Sequence, residues 1–311
     1  MVSAAAAVTT AASTERVLRT FPPEVESPEC DPRDKRSFDH RGAEGDDKGG
    51  VPGPGTLRGD RETRTARSEN TIVTHVFFDF FGTLVDYDPR PVGTPHNAPL
   101  AYAADAGIDI TADAADALWA RSWAELDAHA DTTGREWAMA DVVDRYRSRL
   151  GRPSRAFAPT QETIDVYLAT WTQAVTPAPG LESCLQDLSR DHRLVIVSNA
   201  HDPNLVPELS ARFGIADHVD AIVSSVAVGW RKPHPEIFRL ATGTVGAEPR
   251  DVVFVGDSWG PDVEGPLAAG MHAVFVGSPA AVRDDTVPVV DSLSGVPDAV
   301  RAVRSTSAPR R

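Results

Sequence analysis

The stretch His75-Val76-Phe77-Phe78-Asp79-Phe80-Phe81-Gly82-Thr83-Leu84 runs through apolar and aromatic side chains to an acid and then reaches Gly82-Thr83. A short apolar run without polar alternation is the pattern of a strand buried on both faces, as in the parallel sheet of an α/β protein. Ligands of an open parallel sheet sit beyond the carboxyl ends of its strands, so an acid closing such a run stands where chemistry is expected. Gly82 allows a tight backbone approach at that point.

Working outward, similar runs recur. Strands are expected over Val76–Phe80, Leu194–Ser198, Ala221–Ser224, Val252–Gly256 and Ala273–Val276. Between them lie stripes at helical spacing, such as Leu181, Cys184, Leu185 and Leu188, or Leu205, Leu209 and Phe213. More than a hundred residues separate the first two strands, too many for an ordinary crossover. Within that insertion Leu118, Trp119, Ser122, Trp123 and Leu126 keep a helix period, as do Val142, Val143, Tyr146 and Leu150, and Ile164, Tyr167, Leu168 and Trp171. The expected organisation is an α/β core of parallel strands over residues 71–89 and 176–305, with a helical cap over 90–175 whose core holds the tryptophans. Residues 1–70 are rich in small, polar and charged side chains without periodicity, and are expected to be a disordered extension.

The formal charge is −14, and after residue 70 the chain carries 20 Lys and Arg against 32 Asp and Glu. So acidic a body repels phosphate backbones, which argues against nucleic acid as a partner. No apolar run reaches the roughly 18 residues of a membrane span. The start lacks the basic and apolar regions of a secretory signal, so no membrane association and a cytoplasmic location are expected. The two cysteines, Cys30 and Cys184, offer neither a disulfide framework nor metal-ligand spacing. The expected partner is a small phosphorylated molecule, and the chain is expected to act as a monomer or homodimer.

Four strand endings carry the candidate chemistry: Asp79 with Gly82-Thr83, Ser198-Asn199, Lys232-Pro233, and Gly256-Asp257-Ser258 followed by Asp262. Together they suit phosphoryl transfer. Asp79 can attack phosphorus and split one difficult displacement into two easier ones. Asp79, Asp257 and Asp262 offer the hard oxygens that Mg²⁺ requires. Ser198 and Lys232 can stabilise the phosphoryl oxygens as charge shifts. Gly82, Thr83 and Asn199 complete the expected substrate-binding set.

These ordered motifs resemble the haloacid dehalogenase-like (HAD) superfamily over about residues 74–300, and Glu264-Gly265 and Ala268-Ala269-Gly270-Met271 are similar to it as well. The resemblance implies a Rossmann-like core with strand order 5-4-1-2-3 and a helical cap of the C1 type, which closes over small substrates. The chain departs from most phosphatases of the family at Phe81, where they carry a second aspartate that protonates the leaving group. A phenylalanine side chain transfers no proton, although its backbone carbonyl can still ligate the metal as that aspartate's does.

Phe81 keeps other readings open. Dehalogenases of the superfamily carry an aromatic residue at this position and use no metal, yet their fourth motif is generally of the Ser-Ser-Asn type, unlike Gly256-Asp257. The expected activity is a Mg²⁺-dependent phosphatase. The alternatives are a metal-independent 2-haloacid dehalogenase, a phosphotransferase or phosphonate-cleaving enzyme, and a catalytically weak metal- and phosphate-binding protein. His201, Asp86 and Asp88 are candidates to replace the missing acid. Trp259 is a candidate for the substrate entrance, Trp230 and Arg231 shape the loop of Lys232, and His75, His234 and His272 are read as structural.

Overall fold

The computed structural model describes residues 73–87, 98–151, 160–281 and 283–306. Residues 1–70, Cys30 and Asp88 lie outside them.

Five strands form the centre: β1 (His75–Phe78), β4 (Arg193–Ser198), β5 (Ala221–Ser224), β6 (Val252–Gly256) and β7 (His272–Val276). A sixth, β8 (Val289–Val290), extends the edge to give the order β5-β4-β1-β6-β7-β8, with every pairing parallel. This is the expected Rossmann-like order plus one short strand. The strand β1 ends two residues earlier than expected, because Leu84 and Val85 both donate backbone hydrogen bonds to the Phe80 carbonyl and Gly82 donates to that of Val85. Those bonds fold the segment into a turn directly after Asp79.

Side chains alternate across the sheet, and both faces are covered. Val76, Phe78, Leu194, Ile196, Val253 and Val255 point into one cluster with the helices α5 (Leu181–Leu188), α6 (Leu205–Arg212) and α10 (Val296–Thr306). Phe77, Val195, Val197 and Phe254 point into the other, against Ile237, Phe238 and Ala241 of α8 (Pro235–Val245). Each fully buried side chain of this size contributes about 1.5–3 kcal/mol, which explains why the strands read as unbroken apolar runs.

The register places the functional edge. Phe78 lies opposite both Ile196 of β4 and Val255 of β6, so the carboxyl ends of three adjacent strands finish within two residues of one another. The amide of Asp79 still bonds the Val255 carbonyl at 2.9 Å, which anchors the backbone of the acid to the sheet.

The helical cap comprises α1 (Ala98–Asp105), α2 (Ala112–Thr133), α3 (Met139–Leu150) and α4 (Thr160–Trp171) around a core of its own. Trp119 packs edge-on against Tyr146, with ring centroids 5.5 Å apart, and lies 5.3 Å from Tyr167, as the helical periods suggest. The chain leaves and re-enters the core through a two-stranded antiparallel pair, β2 (Val85–Asp86) with β3 (Thr176–Pro177). Two short helices, α7 (Ser225–Val228) and α9 (Gly265–Ala268), complete the described elements. No helix among the described residues is long and apolar enough to cross a membrane.

Candidate active site

Asp79, Ser198, Lys232, Asp257 and Asp262 gather at the carboxyl edge of the sheet. Lys232 is the hub. Its Nζ donates to Asp79 Oδ1 and to Asp262 Oδ1, both at 2.7 Å, and sits 5.0 Å from the centre of the Phe254 ring. The side chains of Lys232 and Asp262 are almost wholly buried and that of Asp79 nearly so. Lys232 enters through a cis Lys232–Pro233 bond. Its backbone is held by Asn199, whose Oδ1 accepts from the Lys232 amide at 2.8 Å and whose Nδ2 donates to the Lys232 carbonyl at 3.0 Å. With donor and acceptor both engaged, the Asn199 amide positions the lysine's loop. Ser198 is buried beside it and donates to the Asn199 carbonyl at 3.3 Å.

Asp257 and Asp262 are set by the segment leaving β6. A π-helical turn, Trp259–Glu264, brings Asp262 back so that its Oδ2 accepts from the Ser258 amide at 2.9 Å. Turns of this kind recur at functional sites. Thr83 donates to Asp257 Oδ1 at 3.1 Å. Gly82 has φ +89°, and a Cβ there would come within 2.5 Å of the Asp257 carboxylate; one on Gly256 would meet Asp262 as closely. Neither position can carry a side chain without moving an acid, a requirement the bare sequence only hints at.

Three carboxylates face one ammonium. Burial pushes the Asp79 carboxyl up from its ordinary value, Lys232 opposes that shift, and Asp257 adds to it. Burial likewise raises Asp257 and lifts Asp262 to about 6. Burial alone would lower Lys232, but Asp262 and Asp79 outweigh it and hold the lysine above its usual range, so it stays charged. One ligand atom from each of Asp79, Asp257 and Asp262 can be chosen so that all three lie within 4.8 Å of one another. An all-oxygen, electron-rich set of this kind fits a hard divalent cation such as Mg²⁺ rather than a soft metal. The Phe81 carbonyl takes no part in the hydrogen bonds of the turn that follows Asp79.

Sequence periodicity gave no sign of the junction between cap and core. Glu136, in the loop between α2 and α3, has a fully buried side chain. Its Oε2 accepts from Ser225 Oγ at 2.5 Å, and Ser225 Oγ in turn accepts from the Ala200 amide at 2.9 Å. Its Oε1 lies 3.3 Å from His201 Nδ1, and Arg231 Nε stands 4.0 Å from Oε2. Burial alone would raise Glu136, but His201, Ser225 and Arg231 together hold it below its usual value. Backbone bonds from Glu136 to Gly229, from Met139 to His201 and from Arg231 to Gly134 reinforce the seam. The loops carrying Asn199 and Lys232 are therefore tied to the cap.

His201 belongs to this seam. Its ring stacks on Trp137 at 3.7 Å, so the structure holds this candidate acid in a packing role. Asp86 is exposed on β2, opposite Thr176. Trp259 is buried against Phe275 and donates to Glu264, which makes it a packing residue. Trp230 stacks on His234 and lies under the Arg135 guanidinium, 3.6 Å from its ring centre, while Arg231 reaches Asp127, so both shape the loop before Lys232. Among the histidines read as structural, His234 caps α8. Burial lowers His75 first, with Arg193 assisting, so its ring stays neutral within β1. Cys184 is a buried thiol pushed up to about 12 by burial.

Phe81 points into an aromatic group. Its ring lies 5.8 Å from Tyr87 and 5.5 Å from Trp171 of α4, and Tyr87 and Trp171 are 5.8 Å apart.

A model of the family described as haloacid dehalogenase-like hydrolase matches residues 73–270. The Homo sapiens protein named haloacid dehalogenase-like hydrolase domain-containing protein 3 is 32% identical over 162 residues, covering 50% of this chain. The chain spans 62% of that relative's length. A phosphoglycolate phosphatase from Yersinia pseudotuberculosis serotype I (strain IP32953) is 30% identical over 203 residues, 64% of this chain and 78% of that protein. Among solved structures, a 2-haloacid dehalogenase from Pseudomonas syringae pv. Tomato DC3000 shares the fold, with a TM-score of 0.59 and 24% identity over 75% of this chain and 100% of the other.

Proposed function

Because the chain belongs to the haloacid dehalogenase-like hydrolases, we propose that it is a Mg²⁺-dependent phosphatase that hydrolyses a small phosphorylated metabolite through an aspartyl-phosphate on Asp79. One observation carries this reading: three buried or half-buried carboxylates surround a single buried ammonium at the ends of adjacent strands. Left to themselves, such acids are mutually repulsive. A nucleophilic acid on a halide-releasing site has no need of Asp257 and Asp262 beside it.

Asp79, Asp257, Asp262 and the Phe81 carbonyl are the groups that would hold Mg²⁺. When bound, the ion offsets the repulsion between a carboxylate nucleophile and a phosphoryl group. The chain's own groups do the rest. An Asp79 carboxylate oxygen attacks phosphorus while the bond from phosphorus to the leaving oxygen breaks, and that oxygen departs with its electron pair. Lys232 holds Asp79 in place and lends positive charge as the phosphoryl oxygens gain negative charge. Ser198 offers a hydroxyl to the same oxygens, and Thr83 keeps Asp257 oriented. Water then attacks phosphorus, releasing phosphate and restoring Asp79. The relative named as a phosphoglycolate phosphatase supports a small phosphorylated substrate.

Phe81 favours a second reading, a 2-haloacid dehalogenase, since halide departure needs no proton. Parallel assays of phosphate release and of halide release from 2-haloacids, with Mg²⁺ and with chelator, separate the two. Phosphate release that requires Mg²⁺ and vanishes in Asp79→Asn supports the phosphatase. Halide release that survives chelation overturns it.

A further inference from the structure

Resting on the phosphatase reading above, we propose that the substrate is a phosphate ester or anhydride whose leaving group is a flat, stabilised oxyanion of the aryl, enol or acyl class, and that Phe81, Tyr87 and Trp171 form the wall receiving it. Two independent features point there: the committed state of the polar groups around the nucleophile, and the aromatic surface beside it.

Among the described residues, the side chains that hold the three carboxylates already have partners. Lys232 serves two carboxylates, Thr83 serves Asp257, the Ser258 amide serves Asp262, and Asn199 is engaged by the Lys232 backbone. His201 is stacked on Trp137 and faces Glu136. Phe81, two residues from the nucleophile, has no proton to give. A positioned acid contributes about 10²–10⁴-fold where the leaving oxygen is strongly basic. Without one, expelling an alkoxide is slow. A phenol-like oxygen, with a pKa near that of tyrosine at about 10, can leave as the free anion. In the proposed step the Asp79 oxygen bonds to phosphorus, the leaving oxygen keeps the electrons of the broken bond, and it takes its proton from solvent afterwards.

The aromatic surface comes from three places in the chain. Phe81 sits on the turn after the nucleophile, Tyr87 just beyond β2, and Trp171 at the end of α4. Their rings meet pairwise at 5.5 to 5.8 Å, and all three remain partly exposed, Tyr87 to 41%. Phe81 follows Asp79 by two residues, so the wall begins on the turn that leaves the nucleophile. A surface made of ring edges and faces suits a planar apolar body, which it can meet in offset or edge-on contacts. It offers little to the hydroxyls of a sugar or polyol phosphate.

The test is a leaving-group series on the full chain with Mg²⁺: substituted phenyl phosphates of graded acidity, acetyl phosphate, and glycerol 3-phosphate as the alkyl ester. The expected kcat/KM falls at least 100-fold from 4-nitrophenyl phosphate to the alkyl ester. Phe81→Asp is expected to raise turnover of glycerol 3-phosphate by about 10²–10⁴-fold and to raise KM for 4-nitrophenyl phosphate, which loses one ring of the wall. Trp171→Ala is expected to raise KM for the aryl esters several-fold and for acetyl phosphate, whose leaving group is smaller, by less. Equal rates along the wild-type series overturn the proposal whatever the variants do, and a selective loss of the alkyl ester in Asp88→Asn or Tyr87→Phe then identifies the proton donor. No phosphate from any member overturns the phosphatase reading together with this proposal, so the two failures are distinct.

Discussion

Lys232 Nζ donates to Asp79 Oδ1 across 2.7 Å, joining the end of the first strand to a loop 153 residues later. The same ammonium bonds Asp262, so one cation holds two buried acids. Replacing it with a neutral chain of similar length, Lys232→Met, leaves both without their cation. Removing one member of a buried ion pair costs about 3–5 kcal/mol, and the phosphoryl oxygens lose their fixed charge. Turnover is expected to fall at least about 10²-fold. Because Asp262 already titrates near 6 with the lysine present, protonation at lower pH relieves the variant. Thermal melts should therefore show the gap to wild type narrowing as pH falls.

Gly82→Ala tests the approach of the turn to Asp257. The residue has φ +89°, and the new Cβ would lie 2.5 Å from the carboxylate. A left-handed conformation at a non-glycine residue costs about 1–3 kcal/mol, and Asp257 must also move. Denaturant melts should give a loss of that size, and activity should fall further than stability does, because the displaced group is one of the acids of the site.

Glu136 is expected to matter although it lies outside the strand-end motifs. A Glu136→Gln amide replaces an acceptor of several bonds with a group that is half donor, leaving Ser225 or His201 poorly matched at a cost of about 1–3 kcal/mol. The loops of Asn199 and Lys232 then lose their tie to the cap, so kcat should drop several-fold with little change in KM. The pH dependence has a definite sign. The carboxyl titrates below its ordinary 4.5 in the folded protein, so its stabilisation is present above that pH and is lost as pH falls through the lower folded value. Melting temperatures of wild type and variant should converge below about pH 4.5.

What could be read in advance follows from where the signal lies. Asp79, Ser198, Lys232 and Asp257 were legible because each closes or follows an apolar run, and the strand edge is where a parallel sheet presents ligands. The bounds of β5 and β6 match expectation, since unbroken Val, Ile and Phe runs leave little choice of strand. The pair β2 and β3 and the edge strand β8 have only two residues each, too few for periodicity to register. Glu136 finds Ser225 at a separation of 89 residues, and Tyr87 meets Trp171 only because the chain returns through the cap. Contacts of that kind are products of topology and have no local signature.

Metal dependence should be visible in stability as well as turnover. Burial raises all three acids, Asp262 to about 6 against an ordinary 3.8. Without a cation the folded state retains protons that the unfolded chain has lost, so stability falls as pH climbs from 3.8 to about 6, above which the acids are ionised in place. Mg²⁺ binds the ionised form. The rise in melting temperature on adding Mg²⁺ over chelator should therefore be large at pH 7–8 and fade as pH falls below about 6. A melting temperature indifferent to Mg²⁺ throughout that range would count against the carboxylate site as a metal site.

The central claim is that Asp79 itself takes the phosphoryl group. The most direct measurement is acid quenching during turnover of 4-nitrophenyl phosphate with Mg²⁺, followed by mass spectrometry of the peptide containing His75 to Leu84. The account predicts a phosphoryl mass on Asp79 in the wild-type protein, no such peptide in Asp79→Asn, and no turnover by that variant. Phosphate release that continues in Asp79→Asn, or a phosphoryl group carried on a different residue, would contradict it.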